Sequence, residues 1–119
     1  SGFNSGSLIS RAIDADAIDL GGWSEIPMVF AAASGARVSI VATLDGPTTN
    51  QAVVVPANST AHSIADLRGK KVGYIRSTTA HYFLIRMLQQ QGTTMPDIIP
   101  VPLGMSDGLT ALKSGSLDA

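Results

Sequence analysis

Apolar and polar residues follow one another along the chain in a pattern that predicts helices between strands. The clearest helical period lies at 78–91, where apolar residues recur at every third or fourth position and form one stripe. Further helices are predicted at 7–15, 26–33, 63–67 and 106–113, and strands at 18–22, 37–44, 52–56, 71–75 and 98–103. Because strands that alternate with helices form parallel βαβ units, the pattern predicts an α/β fold.

Two helix ends share a pattern that indicates an internal repeat. Residues 12–20 and 111–119 each read as a helix end, a left-handed stop, and an apolar residue followed by an aspartate that opens a strand. Asp16 stands where Gly115 stands, and aspartate is one of the few other residues that tolerate a positive φ. The second copy stops as its strand begins, so we expect the chain to be a piece of a longer protein. Chance similarity between two short junctions is the alternative.

Composition narrows the class of protein. Hydrophobic residues make up 45% of the 119 residues and charged residues 14%, which is typical of a globular domain and not of a disordered segment. The formal net charge of -1 and the lack of a basic run argue against nucleic-acid binding. The chain has no cysteine, and no apolar run reaches the ~18 residues of a membrane span.

Two strand-to-helix junctions carry the side chains best suited to hold a ligand. One lies at 21–27 and includes Ser24, and the other lies at 74–82 and includes the hydroxyl run 77–79. Free N–H groups at a helix N-terminus attract anions, and ligands of open α/β sheets bind at the carboxyl ends of the strands. Ordinary capping of the helix by serine or threonine is the alternative interpretation.

Three further side chains near these junctions have two interpretations each. Glu25, the one glutamate of the chain, could bind an ammonium or hydroxyl group of a ligand, or it could only add favourable charge to a first helical turn. His81 could donate to an anion or face solvent. Trp23 could line an apolar pocket for the organic part of a ligand or fill the core.

The sequence lacks the motifs typical of catalysis and of cofactor binding. GxSxG, Walker A and GxGxxG do not occur, and the two histidines do not have the spacing of a metal site. We therefore expect a protein that is not an enzyme and that uses no cofactor or metal.

One stretch is specific enough to indicate a family. The block at 66–72, Asp-Leu-Arg-Gly-Lys-Lys-Val, is followed by the hydroxyl run 77–79 and by His81-Tyr82 at a helix start. With these residues the chain resembles the periplasmic aliphatic sulfonate, taurine and nitrate binding proteins of ABC importers. The resemblance covers nearly all 119 residues.

The resemblance implies a periplasmic-binding-protein-like (type 2) α/β fold, in which two three-layer αβα lobes joined by crossover strands close on a ligand. Residues 1–50 would form part of the first lobe, 51–56 the crossover strand, and 57–119 part of the second, truncated lobe. The implied ligand is a small anion such as an alkanesulfonate or taurine. Matching positions give the ligand-binding residues as Ser24, Glu25, Thr48, Thr49, Asn50, Ser77, Thr78, Thr79, His81 and Tyr82.

The same resemblance implies a partner and a location. The partner would be the membrane permease of an ABC importer, and the protein would be periplasmic or lipid-anchored at the outer face of the cytoplasmic membrane. Asp16 and Arg76 replace glycines that are usual in the family, and parts of both lobes are absent. We expect the sheet edges left exposed in this way to favour self-association.

Two other functions stay open. The pyrimidine-precursor synthases of thiamine biosynthesis have a similar fold, as does the effector-sensing domain of some transcription regulators. A synthase should show a histidine- or cysteine-rich segment, which this chain lacks.

Overall fold

The chain forms two compact units. The structure is a computed structural model that describes Phe3 and residues 5–46 and 51–119. By their contacts, the first unit comprises Ser1–Asn50 with Ser77–Thr79, and the second comprises Gln51–Arg76 with Ala80–Ala119. The contacts therefore group residues 77–79 with the first unit, although they lie inside the segment 57–119 that was predicted to form the second lobe. The bounds of the two lobes stay a prediction.

The first unit is built on two helices and a tryptophan. Helix α1 spans Gly6–Asp14 and helix α2 spans Glu25–Ala33, and the two helices are in contact. The indole of Trp23 lies against two glycines. A Cβ added to Gly6 would lie 3.0 Å from Trp23 Cδ1, and one added to Gly21 would collide with Ile9 Cγ2. Space, and not backbone conformation, therefore requires glycine at both positions.

The second unit is built on a parallel strand pair. Strands β1 (Lys71–Tyr74) and β2 (Ile99–Pro102) pair in parallel with Lys71 opposite Ile99, helix α3 (Thr79–Gln90) lies between them in sequence, and helix α4 (Met105–Lys113) follows. The apolar stripe of α3 buries Leu84 and Leu88 in a core completed by Leu67, Val72 and Ile98. One contiguous stretch of sequence thus supplies the five buried residues of this core.

The last residues of the chain lie along the other edge of β1. The N–H of Gly73 donates to the Ala119 carbonyl at 2.8 Å, and the N–H of Asp118 donates to the Lys71 carbonyl at 2.9 Å. The Asp118 carboxylate in turn accepts the N–H of Lys71 at 2.8 Å. Residues 117–119 therefore form backbone hydrogen bonds with β1 on the side opposite β2. A strand was predicted to begin at this point, after Gly115.

Two single-turn 3-10 helices begin with the same capping arrangement. In Ile64–Leu67 the Asp66 carboxylate accepts the backbone N–H groups of His62 and Ser63, and in Met95–Asp97 the Asp97 carboxylate accepts the N–H of Thr94. The backbone hydrogen bonds from His62 and from Thr94 are the main reason that the pKa of each carboxyl lies below its usual value.

The internal repeat is confirmed at the helix ends. Asp16 has a φ of 53° and Gly115 a φ of 75°. After each helix the next backbone N–H bonds back to the last turn at 2.8 Å, from Ala17 to the Ala12 carbonyl and from Ser116 to the Ala111 carbonyl. Because this bond needs a left-handed residue before it, Asp16 takes the place of glycine as predicted.

Three predicted strands are wrong. Residues 18–22, 37–44 and 52–56 form no strand, whereas the predictions at 71–75 and 98–103 are confirmed within two residues by β1 and β2. A strand needs a neighbour to satisfy its backbone groups, and the sheet of the described ranges contains only β1 and β2 as full strands. The side chain of Val41 is accordingly 80% exposed and that of Leu44 98% exposed.

Candidate functional site

Helix α2 begins at a serine whose side chain does not cap it. Ser24 occupies the N-cap position with extended backbone angles, and its hydroxyl makes no hydrogen bond to the first N–H groups of the helix. Ser24 Oγ instead lies 2.6 Å from Thr79 Oγ1, and both residues belong to the first unit. Since satisfying those N–H groups is the usual role of a serine at this position, capping does not account for Ser24.

The Ser24–Thr79 pair keeps one hydroxyl hydrogen for another acceptor. Each hydroxyl has one hydrogen and two lone pairs, so a single bond between the two uses only one of the hydrogens. The pair is exposed, and the first turn of α2 starts at the next residue, with N–H groups from Glu25 and Ile26 but none from Pro27 at its positive dipole end. This arrangement can hold one oxygen of an anion.

Ser77 has an unusual backbone conformation for a serine. Its φ is 58°, in the left-handed region that favours glycine, and the residue is half-buried. It also lines a cavity of about 420 Å³ in the first unit, together with Ser7, Arg11, Phe30 and Ser34. The left-handed turn lies two residues before the start of α3, where a change of chain direction is needed.

In the second unit, Tyr74 and His81 stack on each other. Their ring centroids are 4.7 Å apart with an interplanar angle of 35°. Burial, and secondarily the nearby Arg76 guanidinium, lowers the pKa of His81 below its usual value of 6.5. A lowered pKa favours the neutral form of the imidazole, which has one N–H donor and one acceptor nitrogen.

An apolar cavity of about 240 Å³ also lies in the second unit. It extends from the carboxyl end of β1, at Tyr74 and Ile75, to Phe83 of α3 and to Met105 and Leu109 of α4. Its lining is suited to hydrocarbon and not to a charged group.

The structure groups the predicted site residues by unit. Ser24, Glu25, Ser77, Thr78 and Thr79 belong to the first unit, and His81 and Tyr82 belong to the second. Ser24 and Glu25 are exposed, and Tyr82 is 45% exposed, whereas the hydroxyl run 77–79 and His81 are half-buried. The hydroxyls of Ser24 and Thr79 are brought together. Thr48, Thr49 and Asn50 lie outside the described residues.

Sequence reasoning missed two features near these residues. Tyr74 opens the predicted junction at 74–82, but its stacking on His81 is not predicted from the sequence, although its position at the strand end is a usable signal. The cavity that joins Ser77 to α1 could not be inferred, because nothing in the spacing of Ser7 or Arg11 sets them apart from other surface positions.

Two kinds of feature are absent from the described part of the chain. Its aspartate, glutamate and histidine side chains form no group of three that could hold a metal ion. None of the helices found at 5–46 and 51–119 has the length and apolar character needed to cross a bilayer.

Known proteins resemble this chain in sequence and in fold. The family model described as "NMT1/THI5 like" matches residues 4–119. The chain belongs to this family. Among NMT1/THI5-like relatives, an Escherichia coli (strain K12) protein named for the binding of aliphatic sulfonates is 33% identical over 117 residues, which are 98% of this chain and 37% of that protein.

Two solved structures of the family extend the likeness to the fold. The alkanesulfonate-binding protein SsuA from Xanthomonas axonopodis pv. citri, bound to MOPS, matches with a TM-score of 0.92 and 33% identity. The periplasmic aliphatic sulphonate binding protein SsuA from Escherichia coli matches with a TM-score of 0.74 and 31% identity. Each match covers 98% of this chain and 40% of the relative, so the chain spans well under half of their length. The predicted α/β, periplasmic-binding-protein-like fold is confirmed.

Proposed function

We propose that this chain is part of the solute-binding component of an ABC-type importer and helps to capture a small anion such as an alkanesulfonate or taurine. The three relatives described above are named for binding sulfonates, and MOPS, which one of them holds, is itself an alkanesulfonate. Under this proposal the protein is periplasmic or lipid-anchored at the outer face of the cytoplasmic membrane, and it delivers its ligand to the membrane permease of the importer.

The observation that carries the proposal is the hydrogen bond between Ser24 and Thr79. It takes the Ser24 hydroxyl away from capping, leaves one hydroxyl hydrogen available, and lies beside the first N–H groups of α2. A sulfonate has three oxygens, which accept hydrogen bonds and carry one delocalised negative charge. Donors without a full positive charge can hold such a group reversibly, as an importer requires.

Capture without chemistry is the simplest role for these residues. The side chains named at the site are hydroxyls, one carboxylate, one amide, one imidazole and one phenol, all of which can bind an anion or its organic part through hydrogen bonds. The family also includes synthases, so an enzyme acting on a pyrimidine phosphate is the second candidate.

A thermal-shift screen of the full-length protein tests the proposal. The panel holds taurine, alkanesulfonates, nitrate, bicarbonate and a pyrimidine phosphate. A ligand at about 100 times its dissociation constant should stabilise the protein by about 2.7 kcal/mol. A shift with sulfonates supports capture of a sulfonate, whereas a shift with the pyrimidine phosphate alone would favour the synthase.

Two variants test the residues. Ser24→Ala and Thr79→Val each remove one hydroxyl of the pair, and each should weaken sulfonate binding about tenfold because a hydrogen bond to a charged group is lost. Ser106→Ala is the matched control, since it removes an exposed hydroxyl from the first turn of α4. Titration calorimetry showing equal affinities in all four proteins would contradict a role for the pair.

A further inference from the structure

The dipeptide Asp-Gly occurs twice in the chain, in two different backbone settings. Asp45-Gly46 ends the segment 37–46, which forms no helix or strand, and Asp107-Gly108 lies in helix α4. In this dipeptide the amide nitrogen of the glycine can attack the aspartyl carboxyl group, and a residue without a Cβ hinders that approach least. The two copies therefore allow the effect of the fold on this reaction to be compared within one chain.

The backbone at the first copy leaves the attacking nitrogen free. Asp45 and Gly46 are both exposed, and among the described residues neither forms a hydrogen bond or an ion pair. Neither helix nor strand pairing fixes the ψ angle of Asp45. Rotation about ψ can therefore bring the Gly46 nitrogen against the carboxyl carbon of Asp45.

The second copy is held by its helix. The N–H of Gly108 donates to the Gly104 carbonyl at 2.9 Å, and this bond keeps the ψ angle of Asp107 helical. Asp107 is exposed like Asp45, and nothing lies within 4 Å of a Cβ added to Gly46 or to Gly108. Exposure and crowding therefore do not distinguish the two copies, whereas backbone hydrogen bonding does.

We propose that Asp45 is a modification site that converts spontaneously to isoaspartate, and that Asp107 is protected. The Gly46 nitrogen attacks Cγ of the protonated Asp45 carboxyl group and loses its proton, while the carboxyl hydroxyl leaves as water. Water then opens the resulting succinimide. Cleavage of the new N–Cγ bond restores aspartate, and cleavage of the bond from this nitrogen to the main-chain carbonyl carbon of Asp45 gives isoaspartate. The net change needs no oxidant, reductant or enzyme.

Conversion alters the path of the chain and keeps its charge. In isoaspartate the main chain runs through Cβ and Cγ, so it gains one backbone carbon, and the former main-chain carbonyl becomes a free carboxylate. The change falls directly before residues 47–50, which include the predicted ligand residues Thr48, Thr49 and Asn50. The modification itself goes beyond the proposed function and does not rest on it.

The experiment is peptide mapping of the full-length protein during storage at neutral pH and physiological temperature. Electron-transfer fragmentation locates isoaspartate, and protein isoaspartyl methyltransferase labels its free α-carboxylate. In the folded protein isoaspartate should form at least about tenfold faster at 45 than at 107, since one hydrogen bond must open first at 107. In urea the two positions should react at similar rates, because neither amide is then bonded.

Two variants test the role of the glycine nitrogen. Gly46→Ala adds a Cβ that hinders the attack and should slow conversion at 45 severalfold. Gly108→Ala is the matched control, since its added Cβ is equally free of contacts, and it should leave the rate at 45 unchanged. A rate at 45 that Gly46→Ala does not lower would contradict attack by this nitrogen.

The comparison of folded and unfolded protein decides the proposal even if a variant does not fold. Conversion at 45 should proceed at a similar rate in both states, whereas conversion at 107 should be slow only in the folded protein. Equal rates at the two positions in the folded protein would overturn the proposal. A rate at 45 that is far lower in the folded protein than in urea would also overturn it, because the fold would then protect Asp45.

Discussion

The backbone conformation of Ser77 is unfavourable for any residue that has a Cβ atom. At a φ of 58° the Cβ of an L-residue crowds the following carbonyl, whereas glycine meets no such clash. Ser77→Gly should therefore raise the free energy of unfolding by up to about 1 kcal/mol, and Ser77→Ala should not raise it. Urea unfolding of both variants measures this difference.

The control for Ser77 is a serine in the ordinary conformation. Ser114 ends α4 with a φ of -81°, so glycine there removes side-chain contacts and adds freedom to the unfolded chain without relieving a clash. Ser114→Gly should be destabilising. If Ser77→Gly destabilises the protein to the same degree, the left-handed turn is not a source of strain.

His81 should make stability depend on pH. The pKa of His81 is lowered by burial and by Arg76, so the folded chain binds this proton less tightly than the unfolded chain does. The free energy of unfolding is then highest above the usual pKa of 6.5 and falls as the pH drops below it. His81→Gln should flatten this fall.

Denaturant unfolding between about pH 5 and 7.5 measures the His81 effect without ligand. His62→Gln is the comparison, because His62 is the other histidine and is exposed. The fall toward acid pH should persist in His62→Gln. A fall that is equally steep in His81→Gln would assign it to other groups.

At the scale of elements, Trp23 packs only because two neighbours lack side chains. A Cβ on Gly21 would collide with Ile9 and would lie 3.0 Å from Trp23 Cζ3. Gly21→Ala should therefore destabilise the protein by about 1–3 kcal/mol, as overpacking usually does. Near-ultraviolet circular dichroism should report the displaced indole.

Gly22→Ala is the matched control for the Trp23 packing, since nothing lies within 4 Å of a Cβ added to Gly22. Its effect on the free energy of unfolding should be much smaller than that of Gly21→Ala. If the two substitutions destabilise the protein equally, the loss of stability has a cause other than steric overlap with Ile9 and Trp23.

Helices and strands differed in how well the sequence predicted them. The four α-helices of the described residues were predicted within two residues at each end, because their hydrogen bonds are internal and the residues that end them, such as Asp16 and Gly92, are local. The segment at 37–44 has a strand composition but no partner in the described chain. Whether a β-branched segment pairs depends on distant residues, and composition cannot supply them.

At the scale of the whole molecule, the fold and the family could be predicted from the sequence, whereas contacts between distant residues could not. The α/β fold and the family followed from the block at 66–72 and the helix pattern, and both are confirmed. The Ser24–Thr79 contact joins residues far apart in sequence, so the residue types were predictable but their pairing was not. The role of each site residue stays a prediction.

We expect the isolated chain to self-associate through segments that have the composition of a strand but no strand partner within the described residues. Ile40 and Val41 are 62% and 80% exposed in a segment of strand composition. Light scattering of this 119-residue chain should show a mass that rises with concentration, and Val41→Lys should reduce that rise. Val29→Lys, which changes an equally apolar exposed residue on α2, should not.

The core of the second unit has a consequence for how the chain folds. Its members, from Leu67 to Ile98, lie in one contiguous stretch that contains β1, α3 and β2. Assembling them needs only the closure of the β1–α3–β2 segment and no contact with either end of the chain, so this stretch can form before the rest of the second unit. As a nascent chain leaves the ribosome, it could acquire this nucleus as soon as residue 102 has emerged, before the residues that later pair with β1 from its other side.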